Sequence, residues 1–344
     1  MRISLVRNSA RAAVFFCILP CAIPATASHD QDVAQVASRA AQGIDAARQE
    51  LEALAGNGDT LAEHYLGLLY LSGRGEPRSD QRAIEWLGRA ARKGHVESAH
   101  DLAVIYERAS GELKDPVQAL RWYRYAAGQG YAPSQTNLGH MLAEGIGTAA
   151  DLGEARKWLE LAAVQDEPHG EYLLGMLYLD GRGVEKNLAE AARLMKSAAD
   201  HGDRDAQYRL ALLYGNGLGI AKDDRQALDW LRKSAEQKHQ VAEYLLGVVY
   251  ARGLYGVARD DKVAVDWMRR SARQGYAEAQ YALGIMYSEG RGVPKDAEEA
   301  YGWLALAAKN GHAAAKAAID AVRARRSAAE FALPPSSSPE TSPK

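Results

Sequence analysis

Glycines in tight groups, nine histidines, two cysteines and a file of tyrosines are the residues here that could do chemistry. The densest glycine group is Gly215-Asn216-Gly217-Leu218-Gly219. Such a loop could cradle a phosphate on backbone N–H groups, but a dinucleotide loop needs a strand before it and a helix after it. No strand pattern precedes Gly215, and its glycines fall where Gly73/Gly75, Gly145/Gly147, Gly181/Gly183 and Gly290/Gly292 also stand. The loop therefore reads as a turn. His95, His239 and His312 each follow a helix-breaking position, where Tyr131 and Tyr276 stand elsewhere, and read as aromatics packed on a turn. His64, His100 and His140 line one face of successive units. Packed helices lie roughly 8–10 Å apart, so two such rings do not grip one ion without distortion. Zn²⁺ usually takes three or four protein ligands. No zinc-protease helix motif, nucleophile-elbow serine or nucleophile–base pair is present. The expectation is a chain with no catalytic residues, no metal and no cofactor.

The elements that position these residues repeat. Leu66, Leu102, Leu138, Leu174, Leu210 and Leu246 follow at intervals of 36, and Leu283 at 37. Trp86, Trp122, Trp158, Leu194, Trp230, Trp267 and Trp303 keep the same step and take up the extra residue at the same place. That place is the loop Gly253-Leu254-Tyr255-Gly256. An insertion confined to a loop is what a stack of units tolerates. Each unit reads as two helices, because Ala264, Trp267, Met268 and Ala272 share one helix face. Glycine closes the first helix, and Gly94, Gly130, Gly202, Gly275 and Gly311 close the second. Asp166 and Lys238 replace glycine in that second series, so their turns are expected to differ. Gly67, Gly139, Gly175, Gly247 and Gly284 sit inside the first helix, where glycine costs about 1 kcal/mol against alanine. With the alanine pairs of the second helix they let two backbones approach.

The pattern A-x-Y-x-L-G-x-x-Y-x-x-G-x-G-V followed by A-x-x-W-L-x-x-A-A-x-x-G resembles the Sel1-like repeat, a relative of the tetratricopeptide repeat. It covers residues 59 to about 312. Repeat 2 departs most, since Ala109 replaces the first loop glycine and Glu107 to Asp115 lacks the usual turn. The resemblance implies an all-α, right-handed α-solenoid of seven helix-turn-helix repeats with capping helices. It also implies a non-catalytic scaffold that holds a protein or peptide on its concave surface, such as a regulator of a sensor or an envelope assembly factor. Some secreted relatives bind or hydrolyse β-lactams, which is the alternative; those carry regular cysteine pairs.

The ends read differently from the repeats. Arg2, Arg7 and Arg11 precede the apolar run Ala12 to Ile23, too short to span a bilayer. Ala25-Thr26-Ala27 then offers a cleavage site, so residues 1–27 read as a signal peptide and the protein as periplasmic or secreted. Removal takes Cys17 and Cys21 and leaves 39 basic against 44 acidic residues. No thiol chemistry then remains. A balance of −5 gives no electrostatic reason for nucleic acid. Residues 28–58 read as a capping helix and half repeat, 59–311 as seven repeats and 312–331 as a closing cap. Residues 332–344 are Pro/Ser-rich and expected to be disordered. No membrane span is expected after signal removal.

A helical wheel locates a partner surface. With the repeated leucine as position 7, positions 3, 7, 10 and 11 gather on the core side. Position 13 is polar throughout: Ser72, Arg108, Glu144, Asp180, Asn216, Arg252 and Glu289. That face should see water and line the concave side. Yet Met176, Leu212, Val248 and Ile285 occupy position 9, beside Tyr172, Tyr208, Tyr244 and Tyr281 at position 5. These eight residues are either packed on their neighbours by tight curvature or open as a groove for a peptide, since contiguous exposed apolar surface usually marks a binding site. They are the expected partner-binding residues.

Overall fold

The structure is a computed structural model that describes residues 25–75 and 77–331, with side chains from 28 to 324 apart from residue 76. Nearly all of the expected signal segment, including both cysteines, and the expected disordered tail lie outside the described residues. Among the described residues there are seventeen α-helices, one 3₁₀ turn at Gly111–Leu113 and no strand. The fold is an all-α solenoid.

The described residues divide into two compact units, one up to residue 105 and one from residue 106 onward. The first holds α1 (Ala25–Ala41), α2 (Asp45–Gly56), α3 (Thr60–Ser72), α4 (Asp80–Arg92) and most of α5 (Val96–Arg108). In it α1 packs on α2 and α3, α2 on α3, and α3 on α4. The second unit begins with α6 (Pro116–Gly128), α7 (Ala132–Glu144), α8 (Leu152–Val164), α9 (Pro168–Asp180), α10 (Leu188–Asp200) and α11 (Arg204–Asn216). It continues with α12 (Asp224–Glu236), α13 (Gln240–Arg252), α14 (Asp261–Arg273), α15 (Ala277–Glu289), α16 (Ala297–Lys309) and α17 (Ala315–Phe331). Each of these helices packs on the next, and α7, α9 and α15 also reach the helix after that.

Capping fixes the helix lengths. Every second helix of a repeat starts behind Ser, Asp or Asn: Ser79, Asp115, Asp151, Asn187, Asp223, Asp260 and Asp296. Each side chain accepts a backbone N–H of the first turn, filling one of the four donors a helix start leaves open. The cap's own N–H returns to the first helix, as in Asp260 N donating to the Tyr250 carbonyl at 2.9 Å. Repeat 2 keeps both features despite its irregular loop. Its 3₁₀ turn delivers Asp115 N to the Tyr106 carbonyl at 2.9 Å.

The turns at Asp166 and Lys238 do not differ in kind from their glycine counterparts. Their φ angles are +55° and +62°, in the left-handed region that Gly94, Gly130, Gly202 and Gly275 also occupy. The turn hydrogen bond survives, with Lys238 N donating to the Ala235 carbonyl at 2.9 Å and Gly275 N to Ala272 at 3.0 Å. Neighbouring repeats over-determine the turn, so a non-glycine residue is held in a backbone conformation that costs it roughly 1–2 kcal/mol.

The small residue at position 8 marks the closest helix approach. A Cβ on Gly247 would stand 2.6 Å from Met268 Cγ and 3.1 Å from the Ala264 carbonyl; one on Gly284 would stand 2.7 Å from Leu304 Cγ. The loop glycines have a second duty. A side chain on Gly219 would collide with the Leu188 carbonyl at the start of α10, so this loop lays backbone on backbone.

A row of buried polar side chains also ties the repeats. Gln135, Gln207 and Gln280 each donate to a second-helix carbonyl at 3.0–3.2 Å. Each accepts from the end of the following second helix: Gln165, Gln237 and Asn310, at 2.8–2.9 Å. Gln274 bonds Glu243 at 2.6 Å in the same register. Gln135, Gln207, Glu243 and Gln280 are buried and satisfied, so each couples one helix pair to its neighbour without an uncompensated desolvation cost.

Gly247→Val should destabilise the stack by about 3 kcal/mol, the upper part of the overpacking range, because backbone as well as the Met268 side chain must give way. Gly253→Ala, at φ +67° in a loop, should cost about 1 kcal/mol. Chemical denaturation of the two variants checks the order; equal losses would contradict close packing at position 8.

Candidate functional site

The first helices carry the residues of interest. All seven position-13 side chains are exposed, as a solvated face requires. The eight expected binding residues, Tyr172, Tyr208, Tyr244, Tyr281, Met176, Leu212, Val248 and Ile285, are all half-buried. They are neither sealed in the core nor free of it. Tyr172, Met176 and Tyr208 rest on the core around α10 to α13, Tyr244 and Val248 on that around α14 and α15, and Tyr281 and Ile285 on that around α16.

Three of the four tyrosines, Tyr208, Tyr244 and Tyr281, lean on the residue that leads into the next first helix, while Tyr172 stacks on His169 of its own helix. Tyr281 stacks on His312 with centroids 4.0 Å apart and planes at 12°. Tyr208 stacks on His239 at 4.8 Å and 22°, and Tyr244 meets Tyr276 edge-on at 5.4 Å. His64 repeats the contact on His95 at 4.6 Å in the first unit. His95, His239 and His312 are thus turn-packing aromatics, and the contact fixes the rings they support. Such aromatic pairs add about 0.5–1.5 kcal/mol beyond area burial. Burial pushes the Tyr172 and Tyr244 hydroxyls above the usual tyrosine range, with carboxylates nearby adding to the effect, so both remain neutral donors.

Four of the eight residues come together in one place. A cleft of about 480 Å³ opens beside α13 and α15 and is lined by Tyr244, Val248, Tyr281 and Ile285. Arg252, Glu278, Glu289 and Arg291 add charge of both signs to its walls. Tyr172, Met176, Tyr208 and Leu212 lie outside this cleft, further up the same face. The helical wheel had placed Arg252 and Glu289 on this face at position 13, but not Arg291, which reaches in from a loop. It is anchored by Asp261 at 3.2 Å, a partner 30 residues away.

The repeat that builds this face matches the Sel1 repeat over seven consecutive segments: 60–95, 96–131, 132–166, 168–203, 204–239, 240–276 and 277–312. The chain belongs to the Sel1 repeat family. Proteins of this family serve in general as protein-interaction scaffolds. A Sel1 repeat protein from Oxalobacter formigenes is 30% identical, covers 85% of this chain and 86% of its own, and superposes with a TM-score of 0.66. The uropathogenic Escherichia coli protein c5321, described as a protective antigen with an SLR fold, is 33% identical over 86% of this chain, with a TM-score of 0.64. The match spans 65% of c5321. No curated protein matches the chain.

One cluster in this Sel1 repeat protein approaches the composition of a hydrolase triad. His64 Nδ1 lies 2.9 Å from Ser98 Oγ and 3.9 Å from Asp101 Oδ2. Both partners face the same ring nitrogen, whereas a relay needs one on each. Ser98 is 0% exposed, and its hydroxyl also meets His95 Nδ1 at 2.9 Å. This is a sealed polar contact between α3 and the start of α5. Burial lowers the His64 pKa to about 3 and raises that of Asp101 to about 7, the latter helped by Glu97.

The two shifts act in opposite directions. His64, depressed on folding, contributes stability above pH 6.5 that is lost as pH falls towards 3. Asp101, raised on folding, contributes stability below pH 3.8 that is lost as pH rises through 7. Asp101→Asn should therefore raise the melting temperature of the first unit at pH 8 and leave it unchanged at pH 4. Because the Asp101 side chain is 27% exposed, the gain should be about 1 kcal/mol rather than the full value of the shift. Thermal denaturation at the two pH values checks it; a gain at pH 4 or a loss at pH 8 would contradict the burial of a neutral carboxyl.

Proposed function

We propose that this protein is a non-catalytic scaffold of the bacterial envelope that holds a protein or peptide partner on the face made by its first helices. The observation that carries the reading is the cleft at Tyr244, Val248, Tyr281 and Ile285: half-open rings already fixed by ring contacts, stacked for Tyr281 and edge-on for Tyr244, over an apolar floor, with arginines and glutamates on its walls. Pre-fixed tyrosines lose little entropy on binding and offer both an apolar ring and a hydroxyl, which is why they are enriched among interface hot spots. Mixed charge on the walls favours a partner with its own charge pattern over an anionic polymer. Tyr172, Met176, Tyr208 and Leu212 extend the same surface for a longer segment. Restraint of a sensor protein and assembly of envelope machinery both fit such a holder. Binding or hydrolysis of β-lactams has no support in the Ser98 contact, which is shut off from solvent.

Export supports the envelope setting. The Arg-flanked apolar run before Ala25-Thr26-Ala27 reads as a cleaved signal. N-terminal sequencing of the protein from periplasm or medium should begin at Ser28. A cytoplasmic protein starting at Met1 would remove the envelope reading.

Tyr244→Ala with Tyr281→Ala, at unchanged helical content by circular dichroism, should weaken retention of the captured envelope partner about thirtyfold, or about 2 kcal/mol. Affinity measurement with the partner identified by wild-type capture checks this. Undiminished retention would assign the rings to the core alone.

A further inference from the structure

The sequence offered no metal site, because the residues that could form one stand 34 positions apart across a repeat joint. The fold brings them together. His169 lies in the first turn of α9, Asp203 caps α11 and Asp205 lies in its first turn. One ligand atom from each lies within 4.8 Å of the others.

The side chains around this group hold it in a set arrangement. Asp203 Oδ1 accepts the capping hydrogen bond from Ala206 N at 2.7 Å, which turns its other oxygen to His169 Nδ1 at 3.0 Å. Asp205 Oδ1 is 3.1 Å from His239 Nε2. His239 Nδ1 accepts from Ala242 N at 3.1 Å, so its proton sits on Nε2 and is donated to Asp205. A ligating carboxylate is characteristically oriented by such a donor. His239 is in turn clamped by Tyr208, and His169 stacks on Tyr172 at 5.4 Å and 27°.

We infer that His169, Asp203 and Asp205 form a binding site for a divalent transition-metal ion of the Zn²⁺ class, joining the fourth and fifth repeats. Imidazole with carboxylate selects such an ion over Mg²⁺ or Ca²⁺. The two aspartates balance its charge. The ion takes the place of the proton shared between His169 Nδ1 and Asp203. Ligand atoms about 2 Å from Zn²⁺ stand roughly 3.3 Å apart, so the widest separation, up to 4.8 Å, must close by as much as about 1.5 Å. The His169 side chain is 45% exposed, which leaves room for water or a partner's ligand to complete the shell. Arg204, beside Asp205, works against the ion and limits the affinity.

The test uses the untagged protein stripped with chelator. Zn²⁺ affinity is measured by competition with a chromophoric chelator, and Co²⁺ supplies a visible absorption spectrum that reports coordination. Wild type should bind one ion that is lost, or bound at least tenfold more weakly, in His169→Ala and in Asp205→Asn. His201→Ala, which removes a different imidazole paired with Glu171 at 3.2 Å, should leave that ion in place. Asp205→Asn is nearly isosteric and decides the matter if His169→Ala unfolds. No Zn²⁺ binding by wild type, or equal binding by wild type and Asp205→Asn, would overturn the site.

Discussion

Two helices of each pair cross where one of them has almost no side chain, and the rest of the molecule depends on that contact. At Gly67, Gly139, Gly247 and Gly284 the facing second helix pushes Leu87, Leu159, Met268 or Leu304 into the space a Cβ would fill. A pair joined so closely cannot bury the outer faces of its own helices. It must lend them to the next pair, which makes the fold a chain of nearest-neighbour contacts. The loop glycines and the Gln135, Gln207 and Gln280 rungs then set the register between pairs.

The same geometry leaves a surface over. Once position 7 fills the core, positions 5 and 9 of the C-terminal first helices are covered only in part, whereas His64 and Thr136 at position 5 of the first and third repeats are buried. In the C-terminal repeats these positions carry rings and aliphatic side chains that the stack supports but does not enclose. Tyr281 on His312 and Tyr208 on His239 serve the repeat joint and the open face together. Stability and recognition are therefore not separable at these residues. Rings held by a neighbouring repeat meet a partner with little freedom left to lose.

Much of this was legible in the sequence, because a period of 36 shows in glycine, leucine and tryptophan alike. The half-open state of Tyr172, Tyr208, Tyr244 and Tyr281 was not legible: the helical wheel sets position 5 opposite the core and left these rings either packed or open, and for Tyr208, Tyr244 and Tyr281 the partial cover comes from the next repeat. The turns at Asp166 and Lys238 were not legible: residue preference argued against a left-handed turn that the packing of repeats imposes. The buried rungs left a trace, a polar residue recurring at position 4 beside the core, whose meaning needs the partner 30 residues on. The group of His169, Asp203 and Asp205 left none, since no pattern within one repeat contains it.

The central claim is that the open first-helix face, and not the outside of the second helices, meets the partner. Site-specific photo-crosslinking in cells tests it most directly, with the crosslinker placed at Ala282, which lines the cleft beside Tyr281, and in a separate variant at Val164, 83% exposed on α8. A single protein captured from Ala282 and not from Val164 is the predicted result. Capture from Val164 alone, or the same products from both positions, would contradict a partner seated on the tyrosine face.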